Sequence, residues 1–514
     1  MFQLLTMIFD SLFKSKKSRP ANFVGVIDLK RIQRVDWYSL GAFIIPFLLY
    51  AYTLAPTLYN LDSAELTTAV ATGGILRATG YPLYLVLGGI WKYLPIGDFG
   101  YRLNLFSAFW GAMTIFLAAR ILRRMHIAPW IRFAALGLLA TAPYFWAMSL
   151  IAEVYTLHTA LMAGVILSLM IWAKSPSPLK LALPVLLISL SMGNHAATVL
   201  LIPGFIWFVI SQHPREIIKP RVLAATAIAI LVGLSVFIYL PWRYGLNPSF
   251  NYAGQYNSLG EFVPVDLHSP EGFWWLISGR TFSGQMFGYQ INSIWPEIRN
   301  FGEQLWIAFF IIGVGPGIVG MIALLKRDKK FGGMLLLLFL ANAVFFINYR
   351  VIDKNTMYLP AYLVWALWLG IGYQVIFHRV KELTNSKILN LSIASLMIGM
   401  VLFAAGWNYS RVNLSTDIST RQQSEEILGM VEPNSIIFGW WDTIPAIQYL
   451  QLVESVRPDV LAINRFLISP HEMNRLILNN IDERHIYINN PSIQLLKHVD
   501  ATKVGHMYLL EEKQ

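Results

Sequence analysis

Residues 37–66 read WYSLGAFIIPFLLYAYTLAPTLYNLDSAEL, an apolar run followed at once by two carboxylates, Asp62 and Glu65. Runs of this kind, long enough to cross about 30 Å of hydrocarbon, recur near 102–122, 129–149, 153–173, 222–242, 302–325, 332–349, 358–377 and 388–408. The 179–211 stretch is too long for one span and is interrupted by Gly193-Asn194-His195, so it reads as two short helices meeting near the far face. The pattern predicts eleven spans in all. Composition agrees with it: 56% of the 514 residues are hydrophobic and 13% charged, where a soluble domain carries about 25% charged residues. Mean hydropathy is +0.52. With 14% aromatic residues and no short repeat, disordered and fibrous classes are excluded. The absence of cysteine excludes a disulfide framework, thiolate metal ligation and a cysteine nucleophile.

A net charge of +11 would suggest nucleic acid as a partner of a soluble protein, but in a membrane protein the placement of Lys and Arg carries the information. With residues 1–36 in the cytoplasm, 23 of the 40 Lys and Arg fall in segments on that side, and nine lie in the tail after 408. Only eight remain for the opposite face. This asymmetry predicts N-terminus in, C-terminus out. The basic run Lys14, Lys16, Lys17 and Arg19 reads as an anchor against anionic lipid, and 1–13 as a segment lying on the membrane surface. Counting Tyr81–Ile96 as a span would invert everything after it, so it is read as interfacial or re-entrant on the outer face.

The expected organisation is therefore a basic segment 1–36, a helical membrane domain 37–408 with structured outer loops 58–101 and 243–301 over one cavity, and a soluble outer domain 409–514. In that tail SIIFGWW (435–441), DVLAINR (459–465), HIYINN (485–490) and HMYLL (506–510) read as strands alternating with helical patterns, which predicts a small, mostly parallel α/β sheet.

Ionisable groups beside a membrane are costly and mark candidate sites. Asp62 and Glu65 stand i, i+3 on one helix face, where one can stay ionised while the other's pKa rises. The alternative is that they form an N-terminal capping box. On the same side lie Arg77, Arg102, Asn104, Glu153, Tyr155, His158, Asn194, His195, Arg243, Arg280, Arg350, Asp353, Lys354 and Tyr358. Outer cations suit a lipid-linked phosphate, although Arg102 could simply snorkel. Trp274-Trp275 and Trp440-Trp441 could stack on sugar or serve as interface anchors. No GxxxxGK loop, no GxGxxG after a strand, no HExxH, no GxSxG and no DxD occurs, which disfavours nucleotide and nucleotide-sugar chemistry.

The run 53–66, Gly80-Tyr81-Pro82-Leu83-Tyr84, Tyr101-Arg102-Leu103-Asn104, Ala152-Glu153-Val154-Tyr155, Tyr239-Leu240-Pro241-Trp242-Arg243, Tyr358-Leu359-Pro360-Ala361-Tyr362, Trp441-Asp442-Thr443 and Arg457-Pro458-Asp459-Val460 resemble, in this order, a multi-spanning family. It is the transmembrane-protein-260-type O-mannosyltransferase family. The resemblance implies a GT-C type glycosyltransferase that takes sugar, mannose in the family, from a polyprenyl-phosphate carrier without a cofactor or an essential divalent metal. Its acceptor would be protein, lipid or glycan, and its setting a bacterial inner membrane with the active site facing the periplasm or exterior. Carried over by position, Asp62 is the catalytic carboxylate and Glu65 its neighbour; Arg102, Arg243, Arg280 and Arg350 are expected to contact donor phosphate. Asn104, Glu153, Tyr155, His158, His195 and Tyr358 are cavity candidates. Ala64 stands where the family often has Gly, and Arg77-Ala78-Thr79 where His-Pro-Pro is common, changes that bear on specificity. A lipid-linked-saccharide flippase and an envelope glycan ligase are the alternatives.

Overall fold

A computed structural model of the chain describes residues 37–351, 353–384 and 386–513. The basic segment 1–36, including the surface placement expected for 1–13, lies outside the described residues. The rest is mostly helical. Among the described residues six helices are long and apolar enough to cross a membrane, Phe99–Arg124, Tyr155–Lys174, Pro220–Tyr244, Lys329–Ile347, Lys354–Thr384 and Lys387–Val412. A seventh candidate is the pair Ile294–Phe310 and Ile312–Arg327, bent by 102°. Four apolar helices are shorter: Trp37–Thr53, Pro129–Ala140, Pro178–Met192 and Ala196–Gln212. The last two meet at the predicted break, Gly193-Asn194-His195. Pro82–Ile90 is a nine-residue helix, about 14 Å long at 1.5 Å per residue, and cannot cross a bilayer.

Why these helices associate is visible in small residues and side-chain hydrogen bonds, since burial of apolar surface gives little driving force in lipid. The bent pair packs along Leu359–Thr384, which is buried from Tyr358 through Tyr373. Their backbones approach so closely that a Cβ on Gly372 would meet Pro316 O at 1.8 Å, and one on Gly320 would meet Trp368 O at 1.8 Å. Elsewhere Tyr50 donates to Ala140 O at 2.8 Å, Trp146 Nε1 to Thr53 Oγ1 at 3.0 Å, and Asn408 Nδ2 to Thr141 O at 2.8 Å.

The loops 58–101 and 243–301 are structured and joined. The Ile75 N–H donates to Phe250 O at 3.0 Å and the Tyr252 N–H to Ile75 O at 2.9 Å. The second loop also forms a hairpin of β1 (Gly254–Tyr256) and β2 (Phe262–Pro264) that sequence reading did not anticipate.

After Val412 the chain enters the C-terminal α/β unit, pinned to the first helix by Leu414 N–H on Thr53 O at 2.9 Å. Its strands are β3 (Ile436–Gly439), β4 (Leu461–Asn464), β5 (Ile486–Ile488), β6 (Val499–Val504) and β7 (Met507–Glu512), in the order β4-β3-β5-β7-β6. β3 is parallel to β4 and β5, whereas β7 is antiparallel to β5 and β6. The sheet is therefore mixed rather than mostly parallel. The correction comes from β6: VDATKV is polar because it forms a sheet edge with partly exposed faces, so it lacks the apolar pattern of a buried strand.

Replacing Gly372 with Val should lower stability by about 1–3 kcal/mol, the usual cost of overpacking, seen as a lower thermal midpoint in detergent. Gly406→Ala, where a Cβ meets no atom within 4 Å, should leave the midpoint in place. Equal midpoints for both would show that the close crossing does not limit packing.

Candidate functional site

The helix Asp62–Thr72 carries the acidic pair. It starts without a side-chain cap: Leu61 stands at the N-cap position at φ 56°, and the helix ends where Gly73, at φ 65°, turns the chain back and donates to Ala69 O. Gly73 fits because this left-handed conformation carries a penalty for any Cβ. The capping-box alternative is thereby set aside. Both carboxylates instead face Arg77, fifteen and twelve residues further on.

Asp62 Oδ2 accepts from Arg77 Nη2 at 2.5 Å. Glu65 Oε1 accepts the Arg77 backbone N–H at 3.2 Å, and its Oε2 lies 3.7 Å from Arg77 Nη1. One guanidinium thus serves two carboxylates, and the Trp441 ring from the C-terminal unit covers it, 4.2 Å from Arg77 Cζ. Burial disfavours the Arg77 cation, but Asp62 and Glu65 outweigh that cost and its pKa rises. For Glu65 the balance is opposite: burial, opposed by Arg77 and reinforced by the Asp62 charge, pushes its carboxyl up to about 7.

Around this cluster lies a small cavity of about 20 Å³, room for little more than one water, lined by Asp62, Glu65, Arg77, Tyr81, Glu153 and Tyr155 with Leu66, Leu76 and Val154. Glu153 sits in the turn just before the Tyr155–Lys174 helix, where its N–H donates to Ser107 Oγ at 3.1 Å. Burial, then the nearby Asp62 charge, raises its carboxyl well above the usual range. The His195 ring extends the polar wall, 5.6 Å from Tyr155 and 5.5 Å from His158. His195 also has a local role, since its Nδ1 accepts the Ala197 N–H at 3.1 Å and caps the following turn. His158 lies deeper, with Nδ1 3.4 Å from Ser191 Oγ and Thr198 Oγ1.

Other candidates fall elsewhere. Arg102 gives Nε, Nη1 and Nη2 to the carbonyls of Ile96, Lys92 and Gly97 at 2.8, 2.9 and 3.0 Å, so it staples the turn before its helix. Arg243 donates to Gly73 O at 2.5 Å and Thr72 O at 3.3 Å, closing the carboxyl end of the acidic-pair helix. Both guanidinium groups expected to contact phosphate are thus bonded to backbone carbonyls that sequence does not display. Asn104 is likewise structural, holding Ala55 O and Thr57 O at 2.8 and 2.9 Å. Tyr358 is packed between Phe301 and Phe346, outside the cavity lining. Arg280 and Arg350 are exposed, with no hydrogen bond from either guanidinium among the described contacts. Their loops are tied together by the Arg350 N–H on Gln285 O at 2.9 Å.

Sequence alone groups Arg77 with Asp62 and Glu65 without singling it out, and leaves Trp441 open between sugar stacking and interface anchoring. A signal for Arg77 was present: it is the first cation after the acidic pair. No local signal links it to Trp441, which is 364 residues away.

Because the Glu65 pKa rises from 4.5 in an ordinary setting to about 7 in the fold, the folded state holds the extra proton between those values. Stability is then fully expressed below 4.5 and declines as pH rises toward and through 7. Glu65→Gln should flatten this part of the stability–pH curve, measured by thermal unfolding across the same interval. A curve as steep as that of the unmodified protein would assign the dependence to another group.

Residues 62–218 match the family of the protein O-mannosyl-transferase TMEM260 N-terminal domain. The protein O-mannosyl-transferase tmem260 of Dictyostelium discoideum is 22% identical over 473 residues, covering 81% of this chain and 56% of the relative. TMEM260 of Mus musculus is 24% identical over 460 residues, covering 84% and 63%. The chain thus spans little more than half the length of these relatives. Among solved structures, ArnT from Cupriavidus metallidurans bound to undecaprenyl phosphate superposes with a TM-score of 0.57 at 10% identity, over 93% of this chain and 100% of that one. Its apo form gives 0.56. The chain is accordingly an integral membrane protein of GT-C-like fold with a small C-terminal α/β unit, related in sequence to the TMEM260-type O-mannosyltransferase family.

Proposed function

We propose that the chain is a membrane glycosyltransferase that moves a sugar, mannose by analogy with its relatives, from a polyprenyl-phosphate carrier to an acceptor hydroxyl on protein, lipid or glycan. The observation that carries this reading is the Arg77-bound pair of carboxylates in a polar cavity on the outer loops. The match to TMEM260 proteins over residues 62–218 supports it. So does the fold shared with an undecaprenyl-phosphate-bound ArnT.

In this scheme the acceptor oxygen attacks the anomeric carbon while the bond from that carbon to the phosphate oxygen breaks, inverting the configuration. The leaving polyprenyl phosphate takes the electron pair. Asp62 receives the acceptor proton as general base, and Arg77 holds its carboxylate in place. Glu65 and Glu153 are the neighbouring acids, held toward their protonated forms by burial, so they add little negative charge beside the phosphate. Arg280 and Arg350 are the phosphate contacts, because their guanidinium donors are not committed to the protein; neutralisation by these cations makes a divalent metal unnecessary. The positive-inside count places the N-terminus in the cytoplasm and this site on the outer face, in a bacterial inner membrane the periplasmic one.

Purified protein given polyprenyl-phosphate-linked labelled sugar and an envelope extract should transfer label. Asp62→Asn, at unchanged thermal midpoint, should transfer about 10²–10⁴-fold less, the usual contribution of a general base. Arg350→Gln should raise the donor KM more than it lowers kcat. Intact donor that merely crosses proteoliposome leaflets would replace this reading with a flippase, and equal transfer by Asp62→Asn would remove Asp62 as base.

A further inference from the structure

Beyond the carboxyl ends of β3, β4 and β5, the C-terminal unit gathers side chains that the scheme above leaves unused. Trp440 and Trp441 follow β3, Arg465 and Phe466 follow β4, and Asn489 and Asn490 follow β5. The chain leaves β3 for β4 on one side and returns from β4 to β5 on the other. The gap between β3 and β5 is therefore a topological switch point, where open α/β sheets place their ligands.

The chemistry there is specific. Phe466, 62% exposed, meets Trp440 edge-on at 5.1 Å and Trp441 at 5.5 Å. The Arg465 guanidinium lies 4.0 Å over the Trp440 ring and donates to Asn489 O at 2.6 Å and Asn490 O at 3.1 Å. Four buried polar atoms lack partners: Trp441 Nε1, Asn464 Nδ2, Arg465 Nε and Asn489 Oδ1. Asn464 is wholly buried, and its one described side-chain bond accepts the Phe466 N–H. Orphaned polar atoms of this kind are rare in folded proteins and call for an explanation.

We propose that this edge binds a pyranose ring, with the Phe466 side chain turning outward to admit it. Aromatic faces suit the C–H face of a sugar, and unpaired amide and guanidinium groups suit its vicinal hydroxyls. An anionic ligand fits less well. The Arg465 charge is already spent on two carbonyls and a ring, and the exposed Asp442 carboxylate stands beside the site. Trp441 reaches the Arg77 cluster from this same edge, so a sugar held here lies next to the candidate catalytic cavity. The ring belongs either to a glycan acceptor or to the donor, and that further assignment rests on the glycosyltransferase reading.

The test is saturation-transfer NMR on the full-length protein in detergent. The probes are methyl glycosides of mannose, glucose, galactose, rhamnose and N-acetylglucosamine, with a Ser/Thr-rich peptide as comparison and no lipid donor present. At least one glycoside should bind. Loss of one stacking ring in Trp440→Ala should weaken it about tenfold, and Asn489→Ala, which removes an atom already without a partner, should weaken it without disturbing the fold. Binding by no glycoside, binding indifferent to both edge substitutions, or binding of the peptide alone would overturn the proposal. Since no donor is used, a failure of sugar transfer would leave this result standing. Where transfer occurs, a raised acceptor KM in Asn489→Ala assigns the ring to the acceptor and a raised donor KM assigns it to the donor.

Discussion

The cluster in which Arg77 serves the carboxyl groups of both Asp62 and Glu65 is the constraint on which this half of the molecule depends. Removing two carboxyl groups and a guanidinium from water is favourable only when each finds a partner. The first outer loop meets this by folding back so that one cation answers both acids, through its side chain and, for Glu65, through its backbone N–H. Arg243 then closes the far end of the same helix. Asp62 is left paired yet partly accessible, whereas Glu65 is sealed beneath it.

The C-terminal unit completes the arrangement. Its helix Ile444–Glu454 packs on the acidic-pair helix, with Thr68 donating to Pro445 O at 3.4 Å and Tyr252 to Gln448 Oε1 at 2.5 Å. A second clasp is Arg421, which pairs with Glu454 at 2.5 Å and reaches Asp98 at 3.5 Å. These contacts fix Trp441 over Arg77. The unit is thus a wall of the candidate site, and its carboxyl strand edge opens toward the same region.

Much of this was legible in sequence because its causes are local or periodic. Apolar runs set the membrane helices, the break at Gly193-Asn194-His195 was marked by its polar residues, and the i, i+3 spacing of Asp62 and Glu65 placed both on one face. What escaped depends on contacts distant in the chain. A positive charge in a loop reads as a phosphate ligand while its carbonyl partners, as for Arg102 and Arg243, lie out of sight of the sequence. Trp441 could not be assigned to Arg77, and β6 lacks apolar alternation because it is an edge strand.

The most direct measurement of the central claim, that one arginine serves both carboxyl groups while burial pushes Glu65 toward its protonated form, is infrared spectroscopy of the carboxyl C=O band just below pH 7. The account predicts that one protonated-acid component disappears in Glu65→Gln and is at most reduced in Asp62→Asn, where the charge that helps raise the Glu65 pKa is removed. Loss of that component in Asp62→Asn, with Glu65→Gln unchanged, would contradict it.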